Sequence, residues 1–260
     1  MRISVACIQR RGRVLSGVGR TFLGLVVVGV TLSSSFAAAV PADCRQLVVG
    51  LTDSWDDSVG TIQLYQRTSA SAPWTAVSQQ RRMMLGKNGT AWGRGVAGQD
   101  EPGRKKQEGD KRAPAGLFEI GKVYTFDEAL PAGANYPHHT ITRADAWIDD
   151  VGNPLYNQHV TVDLSNPPSW FADQAMKHGD PPHRWLVEIR HNADPPVPGA
   201  GSAIFFHLQR GPDRKTAGCT VMPEDMLVPI IKWLRADANP HYVLLPKREY
   251  AEKQREWKLP

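Results

Sequence analysis

One stretch limits the possible folds more than any other. Ile204 to Met222 reads IFFHLQRGPDRKTAGCTVM: an apolar run closing on His207, a polar crossing, then Gly218-Cys219. Ile204, Phe205 and Phe206 favour an extended strand that carries His207 as a fixed side chain near its end. Gly211-Pro212-Asp213 is strong turn chemistry, so the chain is expected to reverse there and return Cys219 towards His207. Gly218, without a Cβ, permits a sharp bend and the close approach of a substrate carbonyl.

A thiol attacks well only as a thiolate, so a nucleophilic cysteine needs a base within reach and backbone donors for the oxyanion that follows. His207, Cys219 and the amides around Gly218 have the chemistry for these roles. The same residues have a second meaning. A histidine closing an apolar strand is often a satisfied core residue, and a lone cysteine is among the most buried residue types. Spacing alone leaves both readings open.

The ordered set of motifs goes further. His207 followed by Thr216-Ala217-Gly218-Cys219 resembles the signature of the YkuD-like L,D-transpeptidases, where a histidine precedes a Ser/Thr-x-Gly-Cys run. The likeness extends to Gly86-Lys87-Asn88-Gly89, Glu108-Gly109-Asp110 with Pro114 and Gly116, Trp147 to Asp150, Tyr156-Asn157 and Gly201-Ser202-Ala203. Two positions depart from the family pattern. Ala217 stands where many members carry a second histidine, and Thr220-Val221-Met222 where many place an arginine. Carboxylate recognition and secondary stabilisation of the thiolate then have to come from elsewhere or be weaker.

The resemblance implies a mainly β fold with a few short helices, a β-sandwich of mixed sheets. It also implies an enzyme that acts on peptidoglycan stem peptides through a Cys219 thioester, with His207 as base and Gly218 in the catalytic set. Thr216, Thr220, Asp149, Tyr156 and Asn157 are the expected substrate-binding residues, and Trp147 a wall of the same pocket. Neither cofactor nor metal is expected. The alternatives are an L,D-carboxypeptidase or another cell-wall thiol hydrolase, or a non-catalytic wall-binding module stapled by a Cys44–Cys219 disulfide.

Residues 1–39 read as a secretory signal. Five arginines precede an apolar run from Thr21 to Leu32, and Ala37-Ala38-Ala39 offers a small-residue cleavage site. That run is short for a bilayer span, so a periplasmic or secreted protein without a membrane anchor is expected, with residues 40–260 as one catalytic domain. The formal charge of +5 equals those five arginines, so the mature chain is close to neutral. Nothing in that balance favours nucleic acid.

The remaining chain punctuates short β patterns with turns. Gly60 to Gln66 alternates Ile62, Leu64 and Gln66 against Thr61, Gln63 and Tyr65, and Asn88-Gly89 is the strongest hairpin signal. A short helix is expected within Ser169 to His178, and a strand from Trp185 to His191, whose histidine is the rival base. The Pro- and Gly-rich Asn192 to Gly201 segment reads as a lid. A helix starting at Pro223 is expected to lower the Cys219 pKa through its dipole. Pro137-His138-His139 and Asp149-Asp150 lack metal-ligand spacing, the apolar run Tyr242 to Leu245 is expected as a last short strand, and the tail after Pro246 is expected on the surface.

Overall fold

The computed structural model describes residues 39–260, so the expected export signal lies outside the described residues apart from its last position. Among these described residues thirteen strands dominate. β1 (Gln46–Thr52), β2 (Val59–Gln66), β3 (Thr75–Ala76), β4 (Arg81–Met84) and β5 (Thr90–Trp92) precede the long β6 (Ala113–Thr125). β7 (His138–Thr140), β8 (Asp145–Trp147) and β9 (His159–Thr161) are three residues each. The helix α1 (Phe171–Gln174) leads to β10 (Trp185–Ile189), β11 (Phe205–Leu208) and β12 (Thr220–Met222). The helix α2 (Glu224–Trp233), β13 (His241–Pro246) and α3 (Lys247–Lys253) complete the chain.

The protein is mainly β, with parallel and antiparallel pairs mixed in one sheet. Strands follow the order β1-β13-β6-β10-β11-β12-β4-β2-β3, and β2 also pairs with β1, so the path closes on itself. The two layers of the expected sandwich are therefore joined edge to edge, which leaves few free edges. β8 and β9 form a separate two-stranded sheet.

Alternation explains how the ring fills. Val48, Phe118, Phe206, Tyr242 and Leu244 point to one core. Their chain neighbours Leu47, Val49, Leu117 and Val243 point to a second, which Trp92 and Trp257 cover. The apolar face of α2 contributes Met226, Leu227, Ile230 and Ile231 to the first core. Truncating a fully buried aromatic such as Phe206 costs about 3–5 kcal/mol. A third, smaller cluster holds Tyr124, Ile141, Leu186 and Phe205, with Trp147, Met176 and Cys219 packed against it. The thiol thus lies on an aromatic-lined outer face, off the main core.

Several local expectations change. Asn88-Gly89 makes a turn, with the Gly89 amide donating to the Gly86 carbonyl at 2.9 Å. Yet β4 pairs with β2 and β12 while β5 pairs with β6, so no hairpin joins them. The reversal at Gly211 to Asp213 does bring the chain back, but β11 and β12 run parallel. Between Cys219 and α2 the sequence places β12, so the cysteine does not stand directly ahead of the helix N-terminus. Nor does the tail lie wholly on the surface: Trp257 is buried, with its ring centroid 6.3 Å from that of Trp92.

Candidate active site

The parallel register sets Phe206 beside Thr220 and His207 beside Val221. Extending it by one residue puts Cys219 beside Phe205. Alternation then turns Phe205, His207 and Cys219 to the same face and Phe206 to the core. His207 therefore stands diagonally from the thiol, two positions further along the ladder.

The sulfur is seated on backbone. Cys219 Sγ donates to the Ala203 carbonyl at 3.4 Å, and a backbone hydrogen bond from Phe205 reaches the sulfur. Cys219 is half-buried among protein atoms, and that desolvation pushes its thiol up to about 11. The Phe205 bond and the charge of Lys106 act in the opposite direction. Lys106 is buried and paired with Asp110 at 2.6 Å. Thr216 Oγ1 holds the turn, donating to the Cys219 carbonyl at 2.6 Å and accepting from the Gly218 amide at 3.1 Å. A Cβ on Gly218 would lie 3.0 Å from the Arg112 carbonyl and 3.1 Å from Ile204, so glycine here allows packing within the protein.

His207 is buried, and its Nδ1 donates to the Leu208 carbonyl at 2.9 Å. Burial pushes it down to about 4, with the neighbouring His183, whose ring lies 5.1 Å away, adding to the effect. The backbone of Pro182 is a lesser partner. Among the described residues, no hydrogen bond joins His207 to Cys219. The rival, His191, is fully engaged: its Nδ1 accepts from the Arg94 amide at 3.1 Å and its Nε2 donates to the Ala200 carbonyl at 2.9 Å.

The expected substrate-binding residues separate. Asp149 is exposed, with its amide donating to Gln174. Thr220 is buried, with Oγ1 3.2 Å from the Tyr242 hydroxyl. Tyr156 is buried and donates to Glu108, which also accepts from Ser202. Asn157 uses its whole amide inside the protein. Its Nδ2 donates to the carbonyls of His191 and Asn192, and its Oδ1 accepts from Trp147 Nε1 and the Ala203 amide. Tyr156 and Asn157 thus hold the Gly201 to Ala203 segment that receives the thiol. That segment needs Gly201, whose φ of +95° and closeness to His191 and Lys106 leave no room for a side chain.

The Glu108-Gly109-Asp110 loop, part of the family likeness, braces the same segment. Asp110 accepts from Lys106, Gln107 and Arg112, and Glu108 from Tyr156 and Ser202. The expected lid is laced shut by Asn192, which bonds Val197 and Gly201. The disulfide alternative is overturned. Cys44 and Cys219 are both free, and Cys44 is buried in the second core with its thiol donating to the Gln46 carbonyl at 3.3 Å. Sequence reasoning also missed the Ala203 and Leu208 carbonyls and the Phe205 amide. Backbone groups leave no residue-type signal.

A part-exposed thiol, a backbone donor on its sulfur and an oriented imidazole on the same face are components of cysteine-dependent acyl chemistry. Residues 74–242, well over half of the chain, match the family model of the YkuD L,D-transpeptidase catalytic domain, and the chain belongs to that family. It carries an L,D-transpeptidase-type catalytic domain, whose substrate in general is peptidoglycan. Comparison with curated proteins and with solved structures returned no match.

Proposed function

We propose that this protein is an exported cysteine L,D-transpeptidase that joins peptidoglycan stem peptides, or attaches another amine acceptor, through a thioester on Cys219. The observation that carries this reading is the seat of the thiol: Cys219 on the backbone of Ala203 and Phe205, with His207 on the same face of the adjoining strand.

With its proton held on Nδ1 by the Leu208 carbonyl, a neutral His207 keeps the Nε2 lone pair as base. Raised at the thiol and lowered at the imidazole, both pKa values favour the neutral pair at rest. Proton transfer to His207 then accompanies attack. The sulfur bonds to the carbonyl of the L-centre of diaminopimelate, and His207 passes the proton to the departing amine of the terminal D-residue. Because the Gly218 amide is held by Thr216, the Cys219 amide serves the oxyanion. An acceptor amine displaces the thiol and completes the cross-link. Water in its place makes the same site an L,D-carboxypeptidase. The basic and apolar residues before Ala39 support delivery to the periplasm or the outer face of the cell.

Purified protein incubated with disaccharide-tetrapeptide muropeptides tests the proposal. Cross-linked dimers and a Cys219-bound acyl adduct are expected by mass spectrometry. Trimmed monomers alone would assign the hydrolase, and no change with any stem peptide would remove the reading.

A further inference from the structure

Three of the shortest strands meet at one carboxylate. Asp145, on β8, is buried, and its Oδ1 accepts from His139 Nε2 of β7 at 2.9 Å, His159 Nε2 of β9 at 2.8 Å and Thr161 Oγ1 at 2.7 Å. Its Oδ2 accepts from the Thr142 amide at 2.6 Å and the Thr142 hydroxyl at 2.7 Å. A carboxylate has about four lone-pair sites on its two oxygens, so three donors on Oδ1 exceed what that atom accommodates well. Two imidazole nitrogens aimed at one oxygen are more economically explained by a shared cation than by two competing protons.

The donor set has the right chemistry. One ligand atom from each of His139, Asp145 and His159 lies within 4.8 Å of the others. Two imidazoles and one carboxylate suit zinc and its first-row neighbours, whereas calcium and magnesium require mostly oxygen ligands. The rings are held in place: Tyr124 packs at 5.8 Å from His139 and 5.0 Å from His159, and the two imidazoles lie 4.6 Å apart. Thr142 and Thr161 orient the carboxylate from outside the ligand set, the usual support of a metal site.

We propose that His139, Asp145 and His159 bind a first-row divalent cation of the zinc class, with solvent completing the coordination on the more exposed His139 side. Bonds of about 2.0–2.1 Å in a tetrahedral site separate ligand atoms by roughly 3.3 Å, so each imidazole backs away from Asp145 by about 0.5 Å on loading. The bound ion ties β7 to the β8–β9 sheet and fixes Tyr124, which also packs on Phe205, the neighbour of Cys219. It braces the aromatic wall and takes no part in acyl transfer, so the inference stands apart from the proposed function.

Zinc titration of the EDTA-treated protein, followed by calorimetry and thermal melting, tests it. One zinc per chain is expected, with Tm raised by about 5 °C at a hundredfold excess over Kd. His139→Ala and His159→Ala are each expected to weaken binding on the order of 100-fold, while Cys219→Ala leaves it unchanged. If the histidine variants fail to fold, the visible spectrum of cobalt bound to the wild type decides, a four-coordinate nitrogen and oxygen site being expected. Absence of stoichiometric zinc or cobalt binding to the wild type overturns the proposal, as does binding undiminished in both folded histidine variants.

Discussion

The thiol of Cys219 donates to the carbonyl of Ala203, a residue that Asn157 holds by its amide in a left-handed conformation with φ of +53°. A side-chain amide thereby sets the position of a nucleophile that it does not touch. Replacing Asn157 with alanine leaves the Trp147 indole, the Ala203 amide and the carbonyls of His191 and Asn192 without it. A stability loss of about 2–4 kcal/mol by denaturant titration is expected. Activity on muropeptides is expected to fall further than that of Tyr156→Phe, which keeps its ring packing.

Cys219→Ala is expected to abolish turnover with the melting temperature unchanged within a few degrees, whereas Cys44→Ser leaves the chemistry intact. Cys44 is fully buried, and burial pushes its thiol up to about 12. Full activity in Cys219→Ala would dismiss the mechanism.

Alkylation of Cys219 reports the thiolate directly. With the thiol pushed up to about 11, the rate of iodoacetamide modification is expected to climb roughly tenfold per pH unit from neutrality to about pH 10. Peptide mass spectrometry separates this site from Cys44. Lys106→Met removes a charge that favours the thiolate and is expected to shift the profile to higher pH. A plateau near neutrality would instead mean an ion pair with His207 already formed in the free enzyme.

Two buried histidines make folding pH-dependent. Burial pushes His191 down to about 3 and His207 to about 4, from an ordinary value of 6.5. The unfolded chain therefore binds these protons at a higher pH than the folded chain. Their contribution to stability is complete above about pH 6.5 and is lost as pH falls through the folded values. Melting temperature is expected to decline from about pH 6.5 towards pH 4, with a shallower slope in His207→Gln. An unchanged Tm across that range would contradict the buried, neutral assignment.

Much of the strand content was legible because it depends on neighbours in the chain. The period-two pattern of β2 reappears as Ile62 and Leu64 buried and Thr61, Gln63 and Tyr65 half-exposed, whereas Gln66, at the strand end, is exposed instead of joining the buried side. The last strand lies at His241–Pro246, over the apolar run at Tyr242 to Leu245. Asn88-Gly89 misled because its turn chemistry is local, whereas the partners of the flanking strands are chosen by the closed sheet. Tyr156 and Asn157 have side chains that suit a binding wall equally well in sequence. Only their burial turns them inward.

Residue types and their order were sufficient to indicate a β-rich chain of the YkuD family, its candidate cysteine and the histidine strand ahead of it, because these depend on local propensity and motif. Tertiary structure decided the parallel register that sets Cys219 beside Phe205, the backbone groups around its sulfur, and the meeting of His139, Asp145 and His159. Those features join residues distant in sequence through strand pairing and carbonyl direction, and neither is encoded in the residues that are brought together.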